Sequence, residues 1–137
     1  MARVFVTGCA NAQQMAAGFD GEIVDFTSAD WSAKRFVNQG RLAGVYDRLS
    51  AGDVLLIRYG VHDMDPGDAA GYSDPEAEFA NYLERFVNVA RNKRAIPVFQ
   101  IPDLPDGEAW KESCRNLALR LGVECVMLSH QEGGSAK

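Results

Sequence analysis

Residues 32–66 read SAKRFVNQGRLAGVYDRLSAGDVLLIRYGVHDMDP, and this stretch decides the fold. Its first half carries apolar residues at the spacing of one helix face, namely Leu42, Val45, Tyr46 and Leu49. Gly52 then interrupts the helical pattern. Val54–Tyr59 follows as a short and almost continuously apolar run, which is typical of a strand buried on both faces of a parallel sheet. The stretch therefore predicts one helix–strand unit of an α/β protein.

Four further segments have the same strand character, and together with Val54–Tyr59 they predict a five-stranded sheet. They are Val4–Thr7, Glu22–Phe26, Ile96–Ile101 and Val123–Leu128. Each is short and apolar, as expected for strands that helices cover on both sides.

Amphipathic helices are predicted between these strands. One follows Asn11, a good N-cap, and its apolar residues are Ala12, Met15, Ala16 and Phe19. The longest begins with Asp74 as its cap and Pro75 at the first helical position. Its apolar stripe consists of Phe79, Tyr82, Leu83, Phe86, Val87 and Ala90. A last helix ends at Gly122.

Alternating strands and helices predict a three-layer α/β/α sandwich with a parallel sheet, for which we favour the flavodoxin-like strand order 2-1-3-4-5. We expect a single domain over residues 1–130 and a flexible tail over residues 131–137. Ligands of such sheets bind beyond the carboxyl ends of the strands. The corresponding loops are Gly8–Asn11, Thr27–Trp31 and Gly60–Asp63.

The composition limits the classes of partner. A net charge of −5, from 14 basic and 19 acidic residues, argues against nucleic acid and anionic membranes, since both need a concentrated basic face. No run of about 18 apolar residues is present, so no membrane span is predicted. The chain has three cysteines and no CxxC pair, which favours a reducing, cytoplasmic setting. A predicted strand starts close to Met1 and leaves no room for a signal peptide, although a removed leader would also fit. No nucleotide-binding motif occurs.

The spacing of the sequence blocks resembles that of the GDSL or SGNH hydrolases, and most closely their rhamnogalacturonan acetylesterase-like branch of carbohydrate esterases. Members of that branch carry a GRS turn, a GR pair, an LKPGD segment, an FGHND segment and an AIPV-type strand. The matching residues are Asp30-Trp31-Ser32, Gly40-Arg41, Leu49-Ser50-Ala51-Gly52-Asp53, Tyr59-Gly60-Val61-His62-Asp63 and Ala95-Ile96-Pro97-Val98. The resemblance covers residues 32–102 well and both ends weakly. It implies the same fold and, for an active member, a carboxylic-ester hydrolase.

The resemblance also implies where the catalytic groups would lie, and these positions are changed. Ala10 matches the nucleophilic serine, and Cys9 matches the aspartate before it. Asp30 matches a glycine whose N–H serves the oxyanion hole, so its carboxylate has the wrong sign. His62 matches an asparagine donor. After the last strand, His130 lacks an aspartate at the family spacing, so no base is in place to activate a serine.

The replacement residues leave other chemistries open. Cys9 and His62 are a nucleophile–base combination, and with Asp63 they could hold zinc. Simpler interpretations compete with these, because Cys9 could fill a turn, His62 could bond to backbone and Asp63 could brace its own loop. Ser32 is explained as the N-cap of a helix over Ala33–Gln39.

We therefore predict a degenerate SGNH-hydrolase-like domain that has lost esterase activity but keeps a cleft for a carbohydrate, a small ester or a protein partner. The cleft is expected to consist of Cys9, Ala10, Asp30, Trp31, Ser32, His62 and Asp63. In it, Trp31 would either stack on a sugar or pack over the neighbouring helix. No metal and no cofactor are expected. Two rival hypotheses are an active carbohydrate acetylesterase, using Cys9 and His62 or completed by another chain, and a purely structural interaction domain.

Overall fold

The computed structural model describes residues 2–128, whose five strands form one parallel sheet. The strands are β1 (Arg3–Gly8), β2 (Glu22–Thr27), β3 (Val54–Arg58), β4 (Ile96–Ile101) and β5 (Glu124–Met127). Their order is β2-β1-β3-β4-β5, and every neighbouring pair is parallel. The predicted sheet and its strand order are confirmed. The predicted tail over 131–137 and His130 lie outside the described residues.

Helices connect the strands, and the first is shorter than its sequence pattern predicts. They are α1 (Ala12–Met15), α2 (Ala33–Asn38), α3 (Arg41–Arg48), α4 (Ala80–Asn92) and α5 (Glu108–Leu121), with a π-helical turn at Pro75–Phe79 leading into α4. The prediction that the first helix extends to Phe19 is wrong, because the chain leaves the helix after Met15 and turns at Gly18, where φ is +88°. No helix within residues 2–128 is long and apolar enough to cross a membrane.

Side-chain caps start two of these segments as the sequence predicted. The Asn11 side chain accepts hydrogen bonds from two N–H groups in the first turn of α1, at 2.9 and 3.0 Å. Asp74 caps the π-helical turn by accepting from the N–H groups of Glu76 and Ala77, at 3.2 and 2.9 Å. The N–H of Phe79 then donates to the Asp74 carbonyl at 2.8 Å, which is the wider hydrogen-bond spacing of a π-helix.

The helices cover the two faces of the sheet unequally. Side chains alternate along each strand, so Phe5 faces one core while Val4 and Val6 face the other. The larger core takes buried residues from α2, α3, α4 and α5. Within the described residues, the smaller core takes its helical residues, Ala12 and Met15, from α1. The result is an α/β/α arrangement with most of its helical layer on one side.

The carboxyl ends of β1, β2 and β3 bring three loops together. Gly8 ends β1 with a φ of +147°, and a Cβ at this position would lie 2.2 Å from the Arg58 carbonyl oxygen. Only glycine therefore allows β1 and β3 to approach so closely here. The Gly8 carbonyl also accepts from the N–H of Ser28 at 3.1 Å, which places the loop after β2 at the same edge. Ligands of open α/β sheets bind at such edges.

The buried carboxylate of Asp53 holds together the amino edge of the sheet, which is opposite the carboxyl edge. Asp53 is 2% exposed, and its two oxygens accept from the N–H of Arg3 at 2.9 Å and that of Ser50 at 2.8 Å. The guanidinium of Arg3 lies 3.3 Å from the same carboxylate. The Asp53 carbonyl accepts from the N–H of Ile96 at 2.7 Å. Asp53 therefore joins the starts of β1 and β4 to the turn after α3.

Replacing Asp53 with alanine is expected to lower the free energy of unfolding by about 2–3 kcal/mol, because two backbone N–H groups lose their acceptor. The matched control is Asp47→Ala, which removes an exposed carboxylate from α3 and should change the free energy by less than about 0.5 kcal/mol. Urea unfolding followed by circular dichroism measures both. Equal stability of the two variants would contradict the role given to Asp53.

Candidate functional site

A histidine contact joins two of the loops at the carboxyl edge. The Nε2 atom of half-buried His62, in the loop after β3, lies 2.6 Å from the carbonyl oxygen of Ala29, in the loop after β2. Since a carbonyl only accepts, Nε2 carries the proton and donates it to this bond. His62 therefore closes one side of the site through its ring and leaves Nδ1 as the ring acceptor.

Asp63 lies beneath the site and holds three segments in place. It is fully buried, and its two oxygens accept from the N–H of Gly60 at 2.9 Å and that of Ala33 at 2.8 Å. Its carbonyl accepts from the N–H of Ser73 at 2.9 Å. The prediction that Asp63 lines the cleft is wrong, because its carboxylate is directed at backbone donors inside the protein.

The Asp63 carboxyl group is subject to two opposed effects on its pKa. Burial raises the pKa of Asp63 to about 7, since a charged carboxylate is poorly solvated at this depth. Backbone N–H groups, chiefly those of Ala33 and Gly60, oppose the shift because they stabilise the charged form. The net effect makes this group sensitive to pH near neutrality.

Ser32 also lies below the cleft surface. It is fully buried, and its Oγ accepts from the N–H of Arg35 at 3.0 Å, which makes it the N-cap of α2. The interpretation of Ser32 as an N-cap is confirmed, and its placement among the cleft residues is wrong. A hydroxyl with this hydrogen bond and no exposed surface is not available as a nucleophile.

The turn after β1 holds the two residues that match the family's nucleophile region. The Ala10 side chain packs against the smaller core. Burial, and then the nearby carboxylate of Asp63, raise the pKa of the half-buried Cys9 thiol. A nucleophilic cysteine needs a lowered pKa, so this environment does not favour Cys9 as a nucleophile.

An open cavity of about 460 Å³ lies between the loops after β2 and β3. It is lined by Ser28, Asp30, Trp31, Arg35, Gln39, His62 and Asp68. Three of the predicted cleft residues, Asp30, Trp31 and His62, meet here, whereas Cys9 and Ala10 are not part of this lining.

Four lining residues were not predicted, namely Ser28, Arg35, Gln39 and Asp68. Arg35 lies on α2, and Trp31 and Gln39 lie four residues before and four residues after it, just outside the two ends of this helix, so the helical spacing brings all three to the same side. That spacing is the sequence signal that could have found Arg35 and Gln39. Asp68 has no such signal, because the loop after β3 brings it to Arg35, where carboxylate and guanidinium are 2.5 Å apart.

Trp31 and Ser28 also line a second cavity. The second cavity, also about 460 Å³, is lined by Asp25, Phe26, Thr27, Ser28, Trp31, Phe36 and Arg41. The indole meets the Phe36 ring edge-on, with centroids 5.3 Å apart, and the Arg41 guanidinium lies 5.8 Å from its centroid. Trp31 therefore packs on α2 and also presents surface to both cavities.

The zinc alternative has no support within residues 2–128. No group of three or more His, Cys, Asp or Glu side chains in this part of the chain is arranged to hold a metal ion. His62 uses Nε2 on a backbone carbonyl, and the Asp63 oxygens accept from backbone N–H groups. These side chains are therefore committed to local structure.

Two curated proteins of Bacillus subtilis (strain 168) share sequence with about half of the chain. The rhamnogalacturonan acetylesterase RhgT is 38% identical over 68 residues, which are 50% of this chain and 28% of that protein. The probable rhamnogalacturonan acetylesterase YesY is 31% identical over 71 residues, which are 52% of this chain and 33% of that protein. The match thus covers about a third of each relative's own length. No family model matches the chain.

Solved structures share the fold over most of the chain. The crystal structure of protein YxiM from Bacillus subtilis aligns with 91% of this chain and 43% of its own, with a TM-score of 0.76 and 17% identity. An aromatic amino acid aminotransferase from Burkholderia cenocepacia J2315 aligns with 92% of this chain and 30% of its own, with a TM-score of 0.53 and 17% identity. At these identities the alignments show the fold alone. The resemblance predicted from the motifs is confirmed over about half of the chain by the acetylesterase matches.

The raised pKa of Asp63 predicts that stability falls as the pH rises from about 4 to about 7. An unfolded aspartate titrates near pH 3.9 and the folded one near 7, so between these values only the folded state holds the proton. The stabilising contribution is complete below pH about 4 and decreases by about 1.4 kcal/mol per pH unit up to about 7.

Urea unfolding of the wild type and of Asp63→Asn at several pH values tests this, because asparagine does not titrate. The difference between the two curves should change across the window. The control is Asp65→Asn, which alters an exposed carboxylate of the same loop and should leave the pH dependence of the wild type unchanged. A constant difference between wild type and Asp63→Asn over the whole window would refute the raised pKa.

Proposed function

Because the chain is a partial homologue of rhamnogalacturonan acetylesterases with an SGNH-hydrolase-like fold, we propose that it is a carbohydrate-binding domain that does not transfer acyl groups. The observation that carries this proposal is the turn after β1. The position that matches the nucleophilic serine is Ala10, whose methyl group packs on the smaller core and cannot form an acyl-enzyme intermediate. A ligand at this edge would therefore be bound without covalent attack.

The neighbouring groups do not replace what the turn lacks. Burial favours the protonated form of the Cys9 thiol, which is the unreactive form. The Nε2 of His62 donates to a backbone carbonyl, so a base role for this ring would fall to Nδ1 alone. Asp30 places a negative charge where the family supplies an oxyanion donor. Since the groups of a catalytic triad act as a unit, these changes together support the loss of catalysis.

The cavity has the composition of a sugar-binding site. The indole of Trp31 offers an apolar surface to the C–H groups of a sugar ring. Asp30, Gln39 and Arg35 offer hydrogen-bond partners to its hydroxyl groups. The Arg41 guanidinium covers part of the indole, so a sugar on that side would contact or displace it. The names of the relatives make rhamnogalacturonan oligosaccharides the first ligands to test.

The first test is for esterase activity. We expect the wild type to release no acetate above background from nitrophenyl acetate or from acetylated rhamnogalacturonan oligosaccharides. Ala10→Ser alone is also expected to be inactive, because a new hydroxyl would have no base to activate it. The release of nitrophenol and of acetate measures both variants.

The same assay also tests the rival hypothesis that the chain is an active esterase. Turnover by the wild type that disappears in Cys9→Ala would overturn the proposal and assign the chemistry to that thiol. Turnover by Ala10→Ser would show that a base is present, with His62 and His130 the first candidates. Substituting each histidine in the Ala10→Ser background would then identify it.

The second test is for binding, and the chain offers a matched pair of tryptophans. Trp31 lines the cavity, whereas Trp110 is on α5 and donates through Nε1 to the Ser73 carbonyl at 3.0 Å. Titration calorimetry with rhamnogalacturonan oligosaccharides should give about a tenfold weaker affinity for Trp31→Ala than for the wild type, through loss of stacking. Trp110→Phe should keep the affinity of the wild type.

Tryptophan fluorescence, measured in the same titration, distinguishes the response of Trp31 from that of Trp110. In Trp110→Phe the remaining signal comes from Trp31 and should respond to the ligand, whereas in Trp31→Phe the response should be lost. Equal affinity in Trp31→Ala and the wild type would place any binding outside this cavity. No binding by the folded wild type would contradict the proposal and favour a structural interaction domain.

A further inference from the structure

Two cysteines lie on neighbouring elements, Cys114 on α5 and Cys125 on β5, and both contribute to the larger core. The chain turns back at Gly122, and the N–H of Val123 donates to the Ala118 carbonyl at 2.9 Å, so β5 returns along α5. Cys114 lies on the inner face of α5, where it is buried in the larger core. Cys125 of β5 packs against the same core and remains half-buried. The fold thus places one inaccessible and one accessible thiol side by side.

The two thiols shift each other's pKa in opposite directions. The hydrogen bond between them lowers the pKa of Cys125 to about 7 and raises that of Cys114 well above its usual range. The charge of Arg115 also lowers the pKa of Cys125, and burial also raises that of Cys114. Cys125 is therefore the nucleophilic member of the pair, because the thiolate is the reactive form.

Among the residues that the structure describes, Cys114 and Arg115 act on the Cys125 thiol from α5, and on the β4 side Cys125 is paired with Phe99. The Arg115 guanidinium also lies 2.7 Å from Glu112 and 3.6 Å from the Met127 sulfur, so it is held over this part of β5. Cys9, by contrast, has a thiol whose pKa is raised by burial and by a carboxylate.

We propose that Cys114 and Cys125 form a redox-modification site, which low-molecular-weight disulfides oxidise to an intramolecular disulfide bond. The proposal rests on the pairing of an accessible and a buried thiol across α5 and β5. It does not depend on the carbohydrate cleft, which lies at the loops after β2 and β3.

The reaction is a two-step thiol–disulfide exchange. The Cys125 thiolate attacks one sulfur of the small disulfide, whose S–S bond breaks and releases one thiolate. Cys114 then gives up its proton and attacks the Cys125 sulfur of the mixed disulfide, which releases the second thiolate. Two protein thiols are oxidised and one small disulfide is reduced to two thiols. Because the first step takes place at the accessible sulfur, the buried Cys114 never has to meet the oxidant.

Oxidation would join the edge of the sheet to the helix that covers it. Within residues 2–128, β5 pairs with β4 alone, and its residues Val126 and Met127 are 36% and 41% exposed. Few buried contacts hold this strand, so a covalent link to α5 would restrain it. The oxidised protein should therefore melt at a higher temperature than the reduced one, and a reducing agent should reverse the change.

The test treats the full chain carrying Cys9→Ala with oxidised glutathione. In this variant Cys114 and Cys125 are the cysteines that remain to react. After alkylation of unreacted thiols, mass spectrometry should show a product lighter by two hydrogens, with Cys114 and Cys125 joined in the peptide map. Adding Cys114→Ser should stop the reaction at a glutathione adduct on Cys125. Adding Cys125→Ser should slow the modification of Cys114 by about tenfold or more.

The pH dependence of the reaction provides a second readout. The rate of Cys125 modification should rise with a midpoint near pH 7, because the thiolate attacks. Absence of the joined peptide in the folded protein would overturn the proposal, as would equal reactivity of the two serine variants. Circular dichroism shows whether each serine variant folds. If one does not, the peptide map of the Cys9→Ala protein alone still tests whether the disulfide bond forms.

Discussion

The carboxyl edge of the sheet depends on the buried carboxylate of Asp63. A charged group at this depth is costly unless it is hydrogen-bonded, and here each oxygen accepts a backbone N–H, one from Gly60 and one from Ala33. These two bonds fix the loop after β3 to the first turn of α2. The carbonyl of the same residue accepts from Ser73, so the segment before α4 is held as well. The floor of the cleft is therefore set by backbone contacts, and the cleft side chains are arranged on top of it.

Side chains of α2 extend this anchoring outward. The Lys34 ammonium donates to the carbonyls of Ala69 and Tyr72 at 3.2 and 3.0 Å, and Arg35 pairs with Asp68. None of these contacts involves a residue at a position that matches a catalytic group of the family. Because a separate set of residues holds the loops, the spacing of an esterase scaffold can persist while the residues that would contact an acyl group change.

The sequence predicted the fold more fully than the site. Buried strands and amphipathic helices follow from local patterns, so the parallel sheet could be derived, and the family resemblance favoured its strand order. The length of α1 could not be derived in this way. Motif spacing placed Asp30 and His62 at the same edge, where they share a cavity. It could not show that Asp63 points inward, because spacing along a loop does not determine the direction of a side chain. Asp68 was missed because its pairing with Arg35 joins segments far apart in the chain, whereas Arg35 itself carried a spacing signal that was overlooked.

The charges of the cleft limit what it can select. Arg35 is paired with Asp68, so its positive charge is largely neutralised, while Asp30 adds a further carboxylate to the same lining. A sugar unit in this cavity would meet a polar surface with a negative balance, which favours neutral, hydroxyl-rich units over acidic ones. The Arg41 guanidinium lies 5.8 Å from the centroid of Trp31 and lines the second cavity, which the Asp25 carboxylate lines as well. One cation and one carboxylate leave that second cavity without the negative balance of the first. An acidic sugar would therefore be disfavoured more strongly in the cavity of Asp30 and Asp68 than in the cavity of Arg41 and Asp25.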